Sequence, residues 1–379
     1  MKIFFKSAIF FIIATLITIA GVQDNGERTK SFKVNRGGEL SVHVNPGDLT
    51  LKTWDKDEVF VKISGLEGDE LDEVKLEQSG NRITVDYNAG WGWADDASFV
   101  ITIPENFHVK MNTTGGNIDV VGNVIGRISA NTSGGNISCM NVQGEFSAKT
   151  SGGNVEVGDV NGEIYVSTQG GNIEVGFVNG DKASLNTMGG NVIVKDVEGN
   201  LSAKTYGGDI KIGDVGGSAD AVTYGGNIWV KNVEGSATLS TYGGNLYLES
   251  AKGKVEADTK GGNVSLKNTT GSVYAKTAAG NIYAELDPSA NSECNLKTAH
   301  GEIEILLPES AKVSIEAVIK IRGWWDEMKD EFDIKSDFIS EDVIRDEESE
   351  EIMSTYKLNG GGSKIKLKTV NSNIIIKKK

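Results

Sequence analysis

Cysteine, proline and histidine are scarce in this chain. Of 379 residues, 2 are Cys, 4 are Pro and 3 are His. Cys139 and Cys294 lie many coils apart in the repeat described below, too far for a disulfide. Each falls in an inward slot, so both read as small buried hydrophobes. His43, His108 and His300 are scattered over different segments, and no His/Cys/Asp cluster has metal-ligand spacing. Neither a metal nor a small-molecule cofactor is expected. Positive charge is also short, with 38 Lys and Arg against 53 Asp and Glu, for a net charge of −15. That balance argues against nucleic acid, which requires a basic footprint.

Long apolar runs are missing except for one near the start. Lys2 and Lys6 precede an apolar run from Ala8 to Ala20, and polar sequence begins at Gln23. The run is too short to span a bilayer comfortably and reads as a secretory signal over 1–20. Cleavage is expected near Ala20, with Thr18 at the third place; an uncleaved anchor is the alternative, because the A-x-A signature is absent. No cysteine follows the run, so a lipoprotein anchor is not indicated. Either way the protein is expected to be exported, to the periplasm, the cell surface or the medium.

Glycine, by contrast, is abundant, at 48 residues. Much of it sits in Thr-x-Gly-Gly-Asn, which begins at Thr113 and recurs at Thr132, Thr150, Thr168, Thr187, Thr205, Thr223, Thr241 and Thr259, with Asp209 once replacing Asn. The step is 18 residues, stretched to 19 twice. Worn copies follow at Thr277 and Thr298, and a displaced one at Thr369. So regular a period means stacked, near-identical coils.

Within one repeat, Val155, Val157, Val160, Ile164, Val166 and Thr168 alternate with polar residues over two short runs separated by glycine turns. That is strand periodicity with one face buried, so each coil is two strands and two turns. Gly-Gly is expected to supply positive φ at the corner, and Asn to bond locally there. Stacked in register, Asn117, Asn136, Asn154, Asn172, Asn191, Asn227, Asn245 and Asn263 should form an amide ladder, and the threonines a second one. The slot two residues before Thr is often Ala, as at Ala130, Ala148 and Ala203, so the tube is narrow. At about 4.8 Å per coil the rod should be on the order of 50 Å long.

Before the array, 28–112 alternates as strands without repeating and is expected to cap the first coil, whose open edge would otherwise be unpaired. The solenoid proper is assigned to 113–307. An insertion over 308–362, carrying Trp324, Trp325 and an acidic stretch from Glu341 to Glu351, is expected to cap the far edge. Residues 363–379 rebuild a final coil. The fold class is therefore all-β: a single-chain β-solenoid of two-strand coils with β-rich caps.

Val44-Asn45-Pro46-Gly47-Asp48-Leu49 with Thr53-Trp54-Asp55, the step Ile103-Pro104 into Thr-x-Gly-Gly-Asn-Ile, and Leu358-Asn359-Gly360-Gly361-Gly362 before the final coil resemble the bacterial putative-adhesin family. Its members are exported β-strand-repeat proteins of unknown function, similar to head domains of autotransporter adhesins. The resemblance covers nearly the whole mature chain and implies the fold and, by analogy, an adhesive role. It brings no catalytic residues. This chain departs from the family in the number and regularity of its coils.

Two kinds of chemistry bear on these residues, calcium binding and glycoside hydrolysis. Calcium-binding Gly-Gly-x-Gly-x-Asp repeats are superficially similar, but here Asn precedes an apolar residue and no Asp recurs where a calcium ladder needs it. Inward spacings of 2, 3, 4, 2 and 2 also fail the hexapeptide rule of left-handed helices. Glu156 and Glu174 share an outward slot in adjacent coils and should stack about 5 Å apart, a retaining-glycosidase distance. Neighbouring slots hold Ser138 and Ile193 with no basic or histidine partner, so a solvated acidic face explains the pair better. Asp196 and Asp214 read as turn formers.

Aromatics carry the stronger signal. Tyr206, Tyr224 and Tyr242 fill the variable position between Thr and Gly-Gly in three consecutive coils and should stack along one corner. Trp229, Tyr247 and Tyr283 add outward rings on the adjoining strand. Exposed rigid rings suit a sugar face or a protein partner, while stacked tyrosines also stabilise a corner by cross-strand contact. Trp91 and Trp93 are weaker candidates, expected to pack against the first coil. The reading is a non-enzymatic, monomeric envelope protein, an adhesin or binding scaffold for a glycan or protein partner. The alternatives are an end-to-end structural polymer and a polysaccharide-degrading β-helix enzyme.

Overall fold

A computed structural model describes residues 26–89, 97–323 and 325–379. The segment read as a signal, Trp91, Trp93 and Trp324 lie outside the described residues. Two long parallel sheets run side by side, and the chain passes alternately from one to the other. The strand after each Asn joins the first sheet and the strand ending at each Thr joins the second. Ile137–Gln143, for instance, pairs in parallel with Val155–Asn161, and Phe146–Lys149 with Ile164–Ser167. The step of 18 residues, or 19 where it is stretched, holds register, so that Val155 lies over Ile173 and Val166 over Leu185. A one-residue slip would turn every buried side chain outward.

The core is the space between the two sheets. Val155, Val157, Val160, Ile164 and Val166 are all buried, as are Ala130, Ala148, Ala203 and Ala221. Both cysteines are buried and unpaired. Desolvation pushes the Cys139 thiol up to about 12 and that of Cys294 to about 11. Both act as small apolar residues.

Polar ladders close the corners. Each repeat Thr is buried, and its hydroxyl donates to the carbonyl of the second glycine one coil back: Thr168 Oγ1 to Gly153 O at 2.8 Å, Thr205 Oγ1 to Gly190 O at 2.7 Å. The same oxygen accepts from the second glycine of its own turn, Gly208 N to Thr205 Oγ1 at 3.3 Å. A hydroxyl is needed because it donates and accepts at once in a place water cannot enter. The asparagine ladder makes a direct amide-to-amide bond at one rung, Asn245 Nδ2 donating to Asn227 Oδ1 at 3.0 Å, but its recurring bond is to the backbone. Asn136 Oδ1 accepts from Asn154 N, and Asn154 Oδ1 from Asn172 N, both at 2.8 Å. The side chain thus satisfies a corner N–H of the next coil, which only requires an acceptor. That is why Asp209 fits the same position, accepting from Asn227 N at 2.7 Å.

The Gly-Gly pairs do not occupy the left-handed region expected of them. Close approach is their reason. A Cβ on Gly190 would lie 2.1 Å from Gly171 O, whereas one on Gly189 would come no nearer than 3.3 Å to Gly170 O.

At both ends the order of coils in space departs from their order in sequence. Gly38–Asn45 and Asp48–Trp54 form a coil that stacks directly on the one containing Phe107–Thr113 and Ile118–Ile125. The intervening Arg82–Asn88 and Ser98–Pro104 lie on its outer side. At the other end, Ser363–Val370 and Ile374–Lys378 stack on Glu293–Thr298 and Ile303–Leu307, while Val313–Lys320 and Ile334–Ser336 lie outside them. Antiparallel strands then close each edge: Lys75–Ser79 and Glu58–Ser64 at one end, Glu351–Leu358 and Asp342–Asp346 at the other.

Candidate binding surface

Because inward positions are fixed by the core, every second residue of the first sheet faces outward at a constant level. Along one such line the parallel register places Ser138, Glu156, Glu174, Ile193, Lys211, Trp229, Tyr247, Ser265 and Tyr283 in consecutive coils. The character of the line changes along the rod. Glu156 and Glu174 are direct neighbours, exposed, with Ser138 and Ile193 on either side. Among the described residues, neither carboxylate has an ion-pair partner within 4.0 Å. Among the described residues, no group of three or more His, Cys, Asp or Glu is placed to hold a metal ion.

The aromatic residues fall on two lines. On the corner, Tyr206 and Tyr224 are stacked with ring centroids 4.9 Å apart and planes 1° from parallel. Tyr242 continues the row, its backbone N–H bonded to Tyr224 O, and Lys260 Nζ lies 4.4 Å from its ring centroid. Met188 begins the same row one coil before Tyr206. These four side chains are 55–58% exposed, which is unusual for a continuous apolar strip on a soluble surface. Methionine at this position carries no aromatic signal in the sequence, but its place in the Thr-x-Gly-Gly-Asn repeat was there to be read.

On the sheet face, Trp229 and Tyr247 stack with centroids 5.8 Å apart and planes 3° from parallel. The structure sets Tyr283 apart from this pair, with Ser265 in the coil between. Its hydroxyl donates to Glu285 Oε1 at 2.9 Å, and Glu285 pairs with Lys379 Nζ at 2.8 Å. Burial and then that hydrogen bond push the Tyr283 hydroxyl up to about 12. Its polar end is therefore engaged within the molecule. The Lys379 ammonium, followed by the Tyr283 hydroxyl, holds the Glu285 carboxyl below the usual carboxylate range.

A family profile described as Toastrack DUF4097 matches residues 38–258, more than half of the chain. The chain belongs to the Toastrack family. Within that match fall the second, spatially displaced coil, most of the regular repeats, both stacked pairs and the whole tyrosine row. No curated protein matches this Toastrack chain. Three solved structures show distant similarity. A "putative lipid binding protein" from Parabacteroides distasonis is 17% identical, covering 74% of this chain and 95% of its own, with a TM-score of 0.29. A "putative cell adhesion protein" from Clostridium sporogenes is 12% identical over 93% of this chain and 99% of its own, with a TM-score of 0.18. A "putative adhesin" from Bacteroides fragilis is 12% identical over 75% and 98%, with a TM-score of 0.24. Similarity this low transfers neither ligand nor role to the Toastrack chain.

Around Trp229 and Tyr247 the Toastrack sheet face is hollowed into a groove of about 780 Å³. Gly213 forms part of its floor. Lys195, Lys211, Lys231 and Lys267 all reach its lining. These lysines carry no aromatic or carboxylate signal in the sequence, although Lys195, Lys231 and Lys267 recur every second coil on one outward line and Lys211 lies on the line of Trp229.

Proposed function

We propose that this Toastrack protein is a non-enzymatic, exported envelope protein that presents its solenoid surface to a glycan or protein partner. The observation that carries this reading is the pair of parallel ring stacks, Tyr206 on Tyr224 and Trp229 on Tyr247, set at coil spacing on rigid exposed lines. Aromatic rings held flat by a parallel sheet lose little side-chain freedom on binding and offer large contact areas. The short apolar run behind Lys2 and Lys6 supports export. Glu156 and Glu174 have only Ser138 and Ile193 beside them on their line, which supports binding without catalysis.

Binding of the chain from Gly21 onward to a panel of envelope and host glycans, beside the variant Y206A/Y224A/Y242A, tests the reading. Binding that is lost in the folded variant is the expected result. Release of reducing ends from a glycan by the wild-type protein, abolished by Glu156→Gln, would overturn it.

A further inference from the structure

The groove on the first sheet combines two features that rarely coincide on a chain of this charge. Its aromatic floor is the stacked pair Trp229 and Tyr247. Its walls carry Lys195, Lys211, Lys231 and Lys267, all exposed, against the two acidic side chains Asp196 and Glu249. The whole chain carries −15, so a local surplus of positive charge here is not a reflection of composition. The outward line that supplies Lys211 and Trp229 is acidic earlier in the rod, at Asp119, Glu156 and Glu174, and acidic again at Glu304. Between those acidic positions the line carries Lys211, Trp229 and Tyr247 in three consecutive coils, and the adjoining line carries Lys195 and Lys267 in the coils on either side of them.

The lysines also differ in how far they are committed. Lys231 Nζ is 3.0 Å from Asp214 Oδ2. Lys195, Lys211 and Lys267 have no carboxylate within 4.0 Å among the described residues. Asp196 is turned to its own ladder, its Oδ1 accepting from Asp214 N at 2.8 Å. Lys267 lies near enough to Glu285 to help hold that carboxyl low, and all three ammonium groups face solvent near the half-buried Trp229 and the exposed Tyr247. Lysines in solvent need no partner, but their placement in the coils on either side of the Trp229–Tyr247 stack gives the groove a definite chemistry.

We propose that the groove binds an anionic polysaccharide of the uronic-acid type, lying along the solenoid axis, with sugar faces on Trp229 and Tyr247 and carboxylates on Lys195, Lys211 and Lys267. This deepens the binding-surface reading and rests on it. The pitch fits: successive coils rise about 4.8 Å, and an extended glycan advances by a distance of the same order per sugar, so each coil meets one residue of the polymer. Flat rings recognise the apolar face of a pyranose, and ammonium groups recognise the carboxylate at its edge. The negative remainder of the rod repels a polyanion elsewhere, which confines it to this track.

The test uses the chain from Gly21 onward with polygalacturonate, alginate and hyaluronan, and with fully methyl-esterified polygalacturonate as the uncharged control. Binding to at least one of the acidic polymers is expected, weakening as salt is raised and falling at least ten-fold when the carboxylates are esterified. K195Q/K211Q/K267Q should weaken it at least ten-fold, and W229A/Y247A should do the same. All five side chains lie on the surface, so circular dichroism and the melting temperature of both variants should match wild type. Equal binding of the acidic and esterified polymers would overturn the anionic assignment while leaving the binding-surface reading intact. No binding to any of the acidic polymers would also overturn it, and the broader glycan panel then decides the parent reading separately. Loss of binding through self-association at this face, seen as a dimer by light scattering, would overturn it in favour of a second copy.

Discussion

The Asp48 carboxylate accepts a 2.7 Å hydrogen bond from the backbone N–H of Asn117, a residue 69 positions later. It does for that corner what each ladder Asn does for the next. Gly47 O beside it receives the Thr113 hydroxyl at 2.8 Å, as the repeat glycines receive later threonines. Asp48→Ala should therefore destabilise the protein by about 1 kcal/mol, because one corner N–H loses its acceptor at an exposed site. Asp48→Asn keeps the oxygen and should stay close to wild type. Urea unfolding of the three proteins checks this; equal loss in both variants would show that charge matters rather than the acceptor.

The two glycines of one corner are not equivalent. Gly190→Ala puts a Cβ 2.1 Å from Gly171 O, and the neighbouring atoms are backbone that cannot rotate away. A cost of about 3 kcal/mol or more is expected. Gly189→Ala meets its nearest atom at 3.3 Å and should cost less than about 1 kcal/mol. Melting temperatures of the two single variants make the comparison, and similar shifts would refute the close-approach explanation.

Thr205 is 2% exposed and uses its hydroxyl twice, toward Gly190 O and from Gly208 N. Thr205→Val preserves shape but strands a buried carbonyl and a half-buried N–H. Roughly 1–3 kcal/mol of stability should be lost. Thr205→Ser, which keeps the hydroxyl, should recover much of it. Chemical denaturation of both variants is the check.

Cys139 supplies a pH dependence with a definite sign. Its thiol is raised from 9.0 to about 12 by burial. Below pH 9 the thiol is protonated in both states and contributes no slope. Between 9 and 12 the unfolded chain releases the proton and the native state does not, so stability falls as pH rises through that window. Cys139→Ala should show a shallower decline in unfolding midpoint above pH 9 than wild type. A thiol reagent should label neither cysteine at an appreciable rate until the protein unfolds. Rapid labelling of the native protein would place the thiols outside the core.

The middle of the fold was legible because one set of residues repeats without interruption. Inward Val and Ile, the donor and acceptor Thr, and the corner Asn each follow from a single coil. The corner glycines were visible too, though for another reason than the one their type suggests: the Gly190 position is set by a carbonyl one coil away, which no local pattern reveals. The ends were less legible. Val44 occupies the threonine slot opposite Thr113, and Pro46-Gly47-Asp48 stands in for Gly-Gly-Asn, so the register signal there survives only in Gly47, Asp48 and the apolar Leu49. Spatial order at both ends depends on strands that return after a hairpin, and a linear repeat carries no record of it. The aromatic lines could be drawn from the sequence, but the groove could not, because Lys195 and Lys267 line one surface with Trp229 only after five coils have been stacked.

The displaced coils at each end separate two properties that a plain stack would join. The ends are closed by particular strands, while the regular coils between them share one interface with each neighbour. Removing residues 155–172 would bring Asn154 to Ile173 and leave every remaining contact of the same kind. The rod would shorten by about 4.8 Å with both closures untouched. Length in this molecule is thus adjustable in fixed increments, and the distance between its two ends is a graduated quantity that duplication or deletion of a single coil can reset.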